Sequence, residues 1–476
     1  MPENTKATSV NIRMYRMGTG DFFILKFSTG FTMMIDCGCI NARSPKRFDP
    51  FVEDLADYTD NNIDLLVVTH EHADHINGFQ YPSRFFKDIK IKKLWLAWTE
   101  DKKDTYANYL RENHTKIKMA LKMAGFKLSE LKDRNYYNVF FAGDPGKTEK
   151  IKNQQHFIDV VTELSNLNLL GADGQDIPTI EDLLRDKKII DKDTQVEYLS
   201  PGKLYADLVN LTGVRFFVLG PPRDNGALSL EHKKGHGYEK RKQRSQVNFS
   251  FVDALLSSDN EFSDPFDALY TAQGKTAAMD NYSDAGNAWR QIEQDWLYSA
   301  GALAMRHETS INNTSLALAI QFTDSEKVLL FPGDAEYGNW ESWKEITWPT
   351  EKGKVGLEYL LNNTVFYKVG HHMSQNGSGK EYGIEMMLQP EMAAMATLHL
   401  GQGKINTGWL NTMPNDLIGE ALMAKTKGRL FFVGDPEDIL RNIKTDRVSI
   451  RKADIDEFLR LNHQADPLFI DCEVKA

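Results

Sequence analysis

Alternating apolar and polar positions open the chain. Val10, Ile12 and Met14 are separated by polar residues, the period of a strand with one buried face. Met17-Gly18-Thr19-Gly20-Asp21 interrupts the pattern, and Phe22 to Phe27 resumes it. Ser28-Thr29-Gly30 reads as a hairpin turn into a third strand, Phe31 to Ile35, which ends at Asp36-Cys37-Gly38. Phe51, Leu55 and Tyr58 then recur at helical spacing, with Asp49-Pro50 as the expected helix start. Ile63 to Val68 is short, apolar and rich in β-branched residues, as a buried strand is. The order strand, strand, helix, strand predicts an α/β sandwich rather than a helical bundle.

Further along, Lys93 to Trp98 reads as a strand and Asp104 to Ala124 as a helix with Tyr106, Leu110, Ile117 and Leu121 on one face. A strand is expected at Tyr136 to Phe141 and a helix at Phe157 to Leu164, while Gly171 to Lys192 is polar enough to lie outside the core. Strand character returns at Gln195 to Leu199, Val214 to Leu219, Ser315 to Ile320, Lys327 to Phe331 and Thr364 to Val369. Met395 to Leu400, Arg429 to Val433 and Leu468 to Cys472 are the last strand candidates. The pattern is read as one domain over 1–476 with two insertions, a partly helical one at 101–192 and a second at 223–313. The second holds a basic run, Lys233 to Arg244, read as a solvated loop, and an apolar stripe at Trp289, Ile292, Trp296, Ala300 and Leu303, read as a packed helix.

The chemistry gathers directly after the strand at Ile63 to Val68, in Thr69-His70-Glu71-His72-Ala73-Asp74-His75. His70 and His72 alternate, so both can grip one ion, whereas Asp74 and His75 follow as the chain bends and point elsewhere. Two such pairs suit two divalent ions side by side. A polar turn with four ligand-type residues at this spacing is an improbable product of packing alone. Two further strand ends carry ligand types: Asp334 after Pro332-Gly333, and the pair His371-His372 after Gly370. Asp334 is placed to bridge two ions, one oxygen to each. One of the two histidines is expected to bind metal and the other to face substrate or orient its neighbour, with His372 favoured as the ligand and His371 as substrate-facing. Asp74 and His371 are the catalytic candidates; His70, His72, Asp74, His75, Asp334 and His372 are the metal candidates. Asp36 is read as bonding the metal turn from behind, without touching metal. Asp21 is read equally as an organiser of that kind or as an ordinary turn residue.

Composition narrows the partners. The chain has 476 residues, 41% hydrophobic and 26% charged, with a net charge of −10. That balance argues against a general binder of long nucleic acid and leaves room for a small anionic substrate, because bound dications dominate the local field. No stretch approaches the ~20 apolar residues that span a bilayer, so no membrane role is expected. Cys37, Cys39 and Cys472 are too few for a disulfide framework, and the first residues lack an apolar leader segment, which together favour the cytoplasm. Cys37 and Cys39 are read as small buried hydrophobes rather than soft ligands.

The metal turn, with Met17 to Asp21, Met34 to Gly38, Asn312 to Leu316, Phe331 to Ala335 and Lys368 to His372 in the same order, resembles the metallo-β-lactamase superfamily, and most of all its competence-type branch. The resemblance implies a four-layer αββα sandwich with the site at one edge. It also implies two divalent ions, usually zinc and sometimes manganese or iron, and hydrolysis, often of a phosphodiester. Many members supply another histidine between the metal turn and the residue matching Asp334; here His114, His156, His232, His236 and His307 lie in that interval, none after a strand in a matching context. The branch commonly has Gly-Ser after the histidine pair, where this chain has Met373-Ser374. The reading is a dinuclear metal-dependent hydrolase of a phosphodiester, in which two dications share a water, lower its pKa and release a hydroxide nucleophile. Its rivals are a nuclease acting on DNA or RNA, and a metal-binding scaffold or sensor with weak or lost catalysis.

Overall fold

The computed structural model describes residues 6–40, 42–133, 178–230, 281, 299–351, 353–400, 413–443 and 450–476. The chain divides into two compact units: Met1–Tyr109, Pro178–Arg244 and Thr309–Ala476 form one, Leu110–Ile177 and Ser245–Glu308 the other. In the second unit, the described residues are helical, with Leu110, Ile117 and Leu121 buried and the rings of His114 and His307 5.3 Å apart. The expected strand at Tyr136 to Phe141, the helix at Phe157 to Leu164, the basic run and Trp289, Ile292 and Trp296 fall outside the described residues.

The first unit is a pair of seven-stranded sheets. In chain order the first sheet receives β1 (Ser9–Tyr15), β2 (Phe23–Phe27), β3 (Thr32–Ile35), β4 (Leu65–Val67), β5 (Lys93–Ala97) and β6 (Gln195–Leu199). The second receives β7 (Leu204–Leu208), β8 (Leu211–Val218), β9 (Leu318–Phe322), β10 (Val328–Phe331), β11 (Thr364–Lys368), β12 (Ala393–Ala396) and β13 (Leu430–Phe432). The last strand, β14 (Phe469–Lys475), returns to the first sheet beside β1, giving the orders β14-β1-β2-β3-β4-β5-β6 and β13-β12-β11-β10-β9-β8-β7.

Each sheet is antiparallel in one half and parallel in the other. β3 through β6 pair in parallel, as do β10 through β13. Parallel neighbours end on the same edge, so the loops after β3 and β4 leave together, as do those after β10, β11 and β12.

Strand alternation builds the layers. Val10, Ile12 and Met14 of β1 point into a core shared with the second sheet, where Phe23 meets Phe331 edge-on at 5.8 Å between ring centres. Asn11, Arg13 and Tyr15, on the other face, reach the helix Pro45–Thr59: Arg13 donates to Asp54 at 2.8 Å, Tyr15 OH to the same carboxylate at 2.9 Å, and Asn11 to Tyr58 at 2.8 Å. The outer face of the second sheet carries its own apolar layer, in which Phe432, Ala394 and Tyr367 pack with Leu422 and Phe458 from helices. Helix, sheet, sheet, helix is the expected α/β sandwich.

Several local readings needed correction; the strands expected at Met395 to Leu400 and Ser315 to Ile320 are Ala393–Ala396 and Leu318–Phe322. The first helix starts at Ser44-Pro45, not Asp49-Pro50; Pro50 sits inside it, where it costs one backbone bond to the preceding turn. The run Ile63 to Val68 is split at Asp64: Asn62–Ile63 pairs with Lys90–Ile91, and only Leu65–Val67 joins the large sheet. Part of the polar stretch before Lys192 is core, because the helix Ile180–Asp186 is amphipathic and buries Ile180, Leu183 and Leu184 behind a Thr179–Asp182 capping box.

Phe331 sits at the centre of the inter-sheet core, 3% exposed, against Phe23 and Phe366, three residues before Asp334. Phe331→Ala is expected to lower unfolding stability by about 3–5 kcal/mol in urea melts. A loss below about 1 kcal/mol would contradict a shared core between the sheets.

Candidate metal centre

The metal turn is fixed by a carboxylate from the neighbouring strand. β3 ends at Asp36, whose side chain accepts from Thr69 N–H and from Thr69 Oγ1, both at 2.7 Å. His72 is the residue before the helix Ala73–Gln80, so Asp74 and His75 occupy its first turn rather than an extended continuation. The 100° step of a helix aims Asp74 and His75 differently from the extended pair, although the rings of His70 and His75 still meet at 4.2 Å between centres. The loops before and after β2–β3 clamp that turn. Asp21 N–H donates to Asp74 O at 3.0 Å, and Cys37 N–H to His75 O at 2.8 Å. A Cβ at Gly38 would lie 2.1 Å from the carbonyl carbon of Asp74, so only glycine admits this approach.

The second sheet brings the other half. β10 runs into Pro332-Gly333-Asp334, with Gly333 at φ 59°, and Asp334 N–H donates to Ser315 Oγ at 3.1 Å. After β11 the chain passes through His371, His372 and Met373 with φ of 40°, 47° and 65°. Three successive non-glycine residues in the left-handed region are strained, a feature that tertiary contacts must hold and that clusters at functional sites.

These turns converge on one point. His372 Nε2 lies 3.0 Å from Asp74 Oδ2 and 3.1 Å from Asp334 Oδ2, and His75 Nε2 lies 3.1 Å from the same Asp334 oxygen. A tetrahedral ion with ligands at about 2.0–2.1 Å has donor–donor edges of about 3.3 Å, so these three contacts are close to the edges of one coordination shell. Beside them His70 Nε2 and His72 Nδ1 are 3.1 Å apart, the edge of a second. Nitrogen and carboxylate donors at this spacing fit a divalent ion.

The imidazoles are aimed from behind. Thr69 Oγ1 spends its hydrogen on Asp36, so it accepts from His70 Nδ1 at 3.0 Å and leaves His70 Nε2 a lone pair. His75 Nδ1 bonds Asp36 Oδ2 at 2.7 Å. His372 Nδ1 bonds Thr397 O at 3.0 Å. Asp36 touches no donor edge and acts through Thr69 and His75. Asp21 belongs to the same buried group, since ligand atoms of Asp21, His75, Asp334 and His372 lie within 4.8 Å of one another; it meets the rings on their Nδ1 side, 3.8 Å from His75 Nδ1 and 3.9 Å from His372 Nδ1. Its oxygens accept from Lys368 Nζ and Thr397 Oγ1, each at 2.6 Å.

Lys368 bears on how Asp334 could bridge two ions. Its Nζ lies 3.0 Å from Asp334 Oδ1, while Oδ2 is the oxygen that lies against His75 and His372.

The electrostatics follow from this crowding. Burial, helped by the neighbouring imidazoles, holds His70 well below the usual histidine range, and burial lowers His72 to about 4. Burial also works against charge on His372, but Asp334 and Asp74 outweigh it and raise His372 to about 9; Asp334, Asp21 and Asp36 hold His75 well above the usual histidine range. Desolvation opposes the charge on Asp334 and Asp74 too, yet the imidazoles, with Lys368 beside Asp334, hold both below the carboxylate range. With no cation bound, protons on His75 and His372 take its place.

Every sequence-derived metal candidate, with Asp36, is thus in one cluster. His371 is not among the donors: 17% of its side chain is exposed, and its Nδ1 lies 2.8 Å from Ser374 Oγ and 3.3 Å from Glu336 Oε1. Cys37 and Cys39 are buried away from the donors, and burial raises the Cys37 thiol. His114 and His307 belong to the second unit, while His156, His232 and His236 lie outside the described residues. Lys368, Thr397 and Ser315 were missed. A lone lysine in the apolar strand Thr364 to Val369 was the available signal for the first; nothing local marked the other two.

A buried cluster of this donor set at the edge of an α/β sandwich defines a metal-type centre. Residues 18–113, which carry Asp21, Asp36 and the metal turn, match the family model described as Metallo-beta-lactamase superfamily. The match is confined to residues 18–113; the paired sheets with helices outside them form an α/β sandwich. No curated protein and no solved structure matches the chain.

In chelator-treated protein the raised His372 stabilises the fold fully below pH 6.5, and that contribution disappears as pH rises through about 9. Thermal midpoints are expected to fall across that window, and His372→Gln to flatten the decline. An equal slope in both proteins would rule out this linkage. Gly38→Ala, in turn, is expected to weaken metal retention at least ~10-fold by displacing the Asp74–His75 peptide; unchanged retention in elemental analysis would refute that packing constraint.

Proposed function

We propose that the chain is a metal-dependent hydrolase acting on a phosphodiester. The observation that carries the reading is the set of four buried donors, Asp74 Oδ2, His75 Nε2, Asp334 Oδ2 and His372 Nε2, joined by three contacts of 3.0–3.1 Å. His70 Nε2 and His72 Nδ1 would hold a second ion beside them. Divalent ions held there supply Lewis acidity to a substrate oxygen and bring water within reach of ionisation at neutral pH.

The chain's own part is positional. Asp36 and Thr397 fix the rings of His75 and His372 so that Nε2, and not Nδ1, faces the centre. Of the histidines at the centre, His371 has an exposed face; Glu336 and Ser374 both address its Nδ1, and Nε2, 3.4 Å from Asn312 Nδ2, is the atom a substrate would meet in competition with that amide. Held this way, His371 orients a phosphoryl oxygen or passes a proton to the leaving group. Support for a phosphodiester comes from the competence-type resemblance of the six motifs. The net charge of −10 favours a small substrate over long nucleic acid.

Metal content and turnover of bis(p-nitrophenyl) phosphate, with Zn²⁺ or Mn²⁺ added, test the reading. Chelator-sensitive turnover is expected. Asp334→Ala should lower metal content and cut turnover at least ~100-fold while leaving the circular dichroism spectrum intact. Metal-loaded protein that ignores the diester would sink the substrate class; wild-type turnover in Asp334→Ala would sink the ligand assignment.

A further inference from the structure

Lys368 is 1% exposed at the end of β11, and its ammonium is fully committed. It donates to Asp21 Oδ2 at 2.6 Å, Asp334 Oδ1 at 3.0 Å and Gly333 O at 2.9 Å. An ammonium has three hydrogens, so none is left for a substrate or a leaving group. Lys368 is therefore neither a proton donor in the reaction nor a contact for substrate. What it touches is the carboxylate shared by both halves of the centre.

That contact makes the halves unequal. Among the described residues, Asp74, Asp334, His75 and His372 gather at one group. His70 and His72 make the other, and the second oxygen of Asp334 is bonded to the lysine. Ser315 Oγ lies 3.3 Å from His70 Nδ1, behind the ring. A fixed positive charge on Asp334 also reduces the negative charge that a second dication would meet.

We propose that Lys368 is a positioning residue that sets the metal count: it caps Asp334 Oδ1, so the chain retains one ion at the four-donor group and takes a second only weakly at His70 and His72. The inference rests on the metal-dependent reading above and concerns how the same centre fills. It gives the second ion the behaviour of an exchangeable component, which would arrive with substrate or with rising metal concentration.

The test is calorimetric titration of metal-free, full-length protein with ZnCl₂, with elemental analysis after gel filtration and no activity measured. Wild type is expected to retain one ion per chain and to bind a second at least ~100-fold more weakly. In Lys368→Met the freed oxygen should narrow that gap by ~10–100-fold, while Lys368→Arg, which keeps the charge, preserves it. Lys368→Met leaves Asp21 without its partner, so Asp21→Asn/Lys368→Met is titrated alongside; it frees Asp334 Oδ1 with no orphaned carboxylate and decides the matter if the single variant does not fold. Two ions of equal affinity in wild type, or an unchanged gap in the folded methionine variant, would overturn the proposal and leave the metal reading standing. No retained ion in wild type would overturn the metal reading itself.

Discussion

Four buried carboxylates, Asp21, Asp36, Asp74 and Asp334, crowd one edge of the sandwich, and their negative charge is the constraint that its surroundings answer. Isolated, each would cost several kcal/mol to desolvate. Here none is isolated. Asp36 is spent on Thr69 and His75, Asp21 on Lys368 and Thr397, and Asp334 on Lys368 through one oxygen. What remains uncompensated, Asp74 Oδ2 and Asp334 Oδ2, faces His75 and His372. Those two rings must carry protons or share a cation. The same crowding that destabilises an empty centre is what gives a divalent ion its hold, so affinity and strain have one origin.

The backbone architecture makes that crowding achievable. The centre draws on strand ends from the parallel half of each sheet, β3 and β4 in one, β10, β11 and β12 in the other. Neither sheet holds enough donors alone. The inter-sheet contacts of Phe23, Phe331 and Phe366 therefore serve the site as much as the fold. The left-handed run at His371, His372 and Met373 is a local consequence: the chain must turn sharply to aim His372 inward while His371 stays at the surface. Relaxing that turn would exchange strain for a misplaced ligand.

Much of the site was legible because its ligands are clustered in sequence or follow unmistakable strand ends. The spacing of His70, His72, Asp74 and His75 carries its meaning without neighbours, and the glycines before Asp334 and His371 mark turns. The sandwich class was legible too, since strand alternation at Val10, Ile12 and Met14 records which face is buried. Other features were hidden for physical reasons. Pro50 looked like a helix start because proline favours first turns, yet Ser44-Pro45 already filled that role. The polar count of Gly171 to Lys192 concealed a short helix with one apolar face.

The sequence by itself determined the donor types, their order and the sheet faces, since these depend on local period and side-chain chemistry. Only the tertiary structure decided which oxygen of Asp334 meets the lysine, that His372 rather than His371 enters the cluster, and that Asp21 joins it from the Nδ1 side of the rings. Each of those depends on groups far apart in the chain: Lys368 on Asp334 and Asp21, Thr397 on His372. Distance in sequence carries no signal of such contacts, because it is the packing of two sheets that brings them within hydrogen-bond reach.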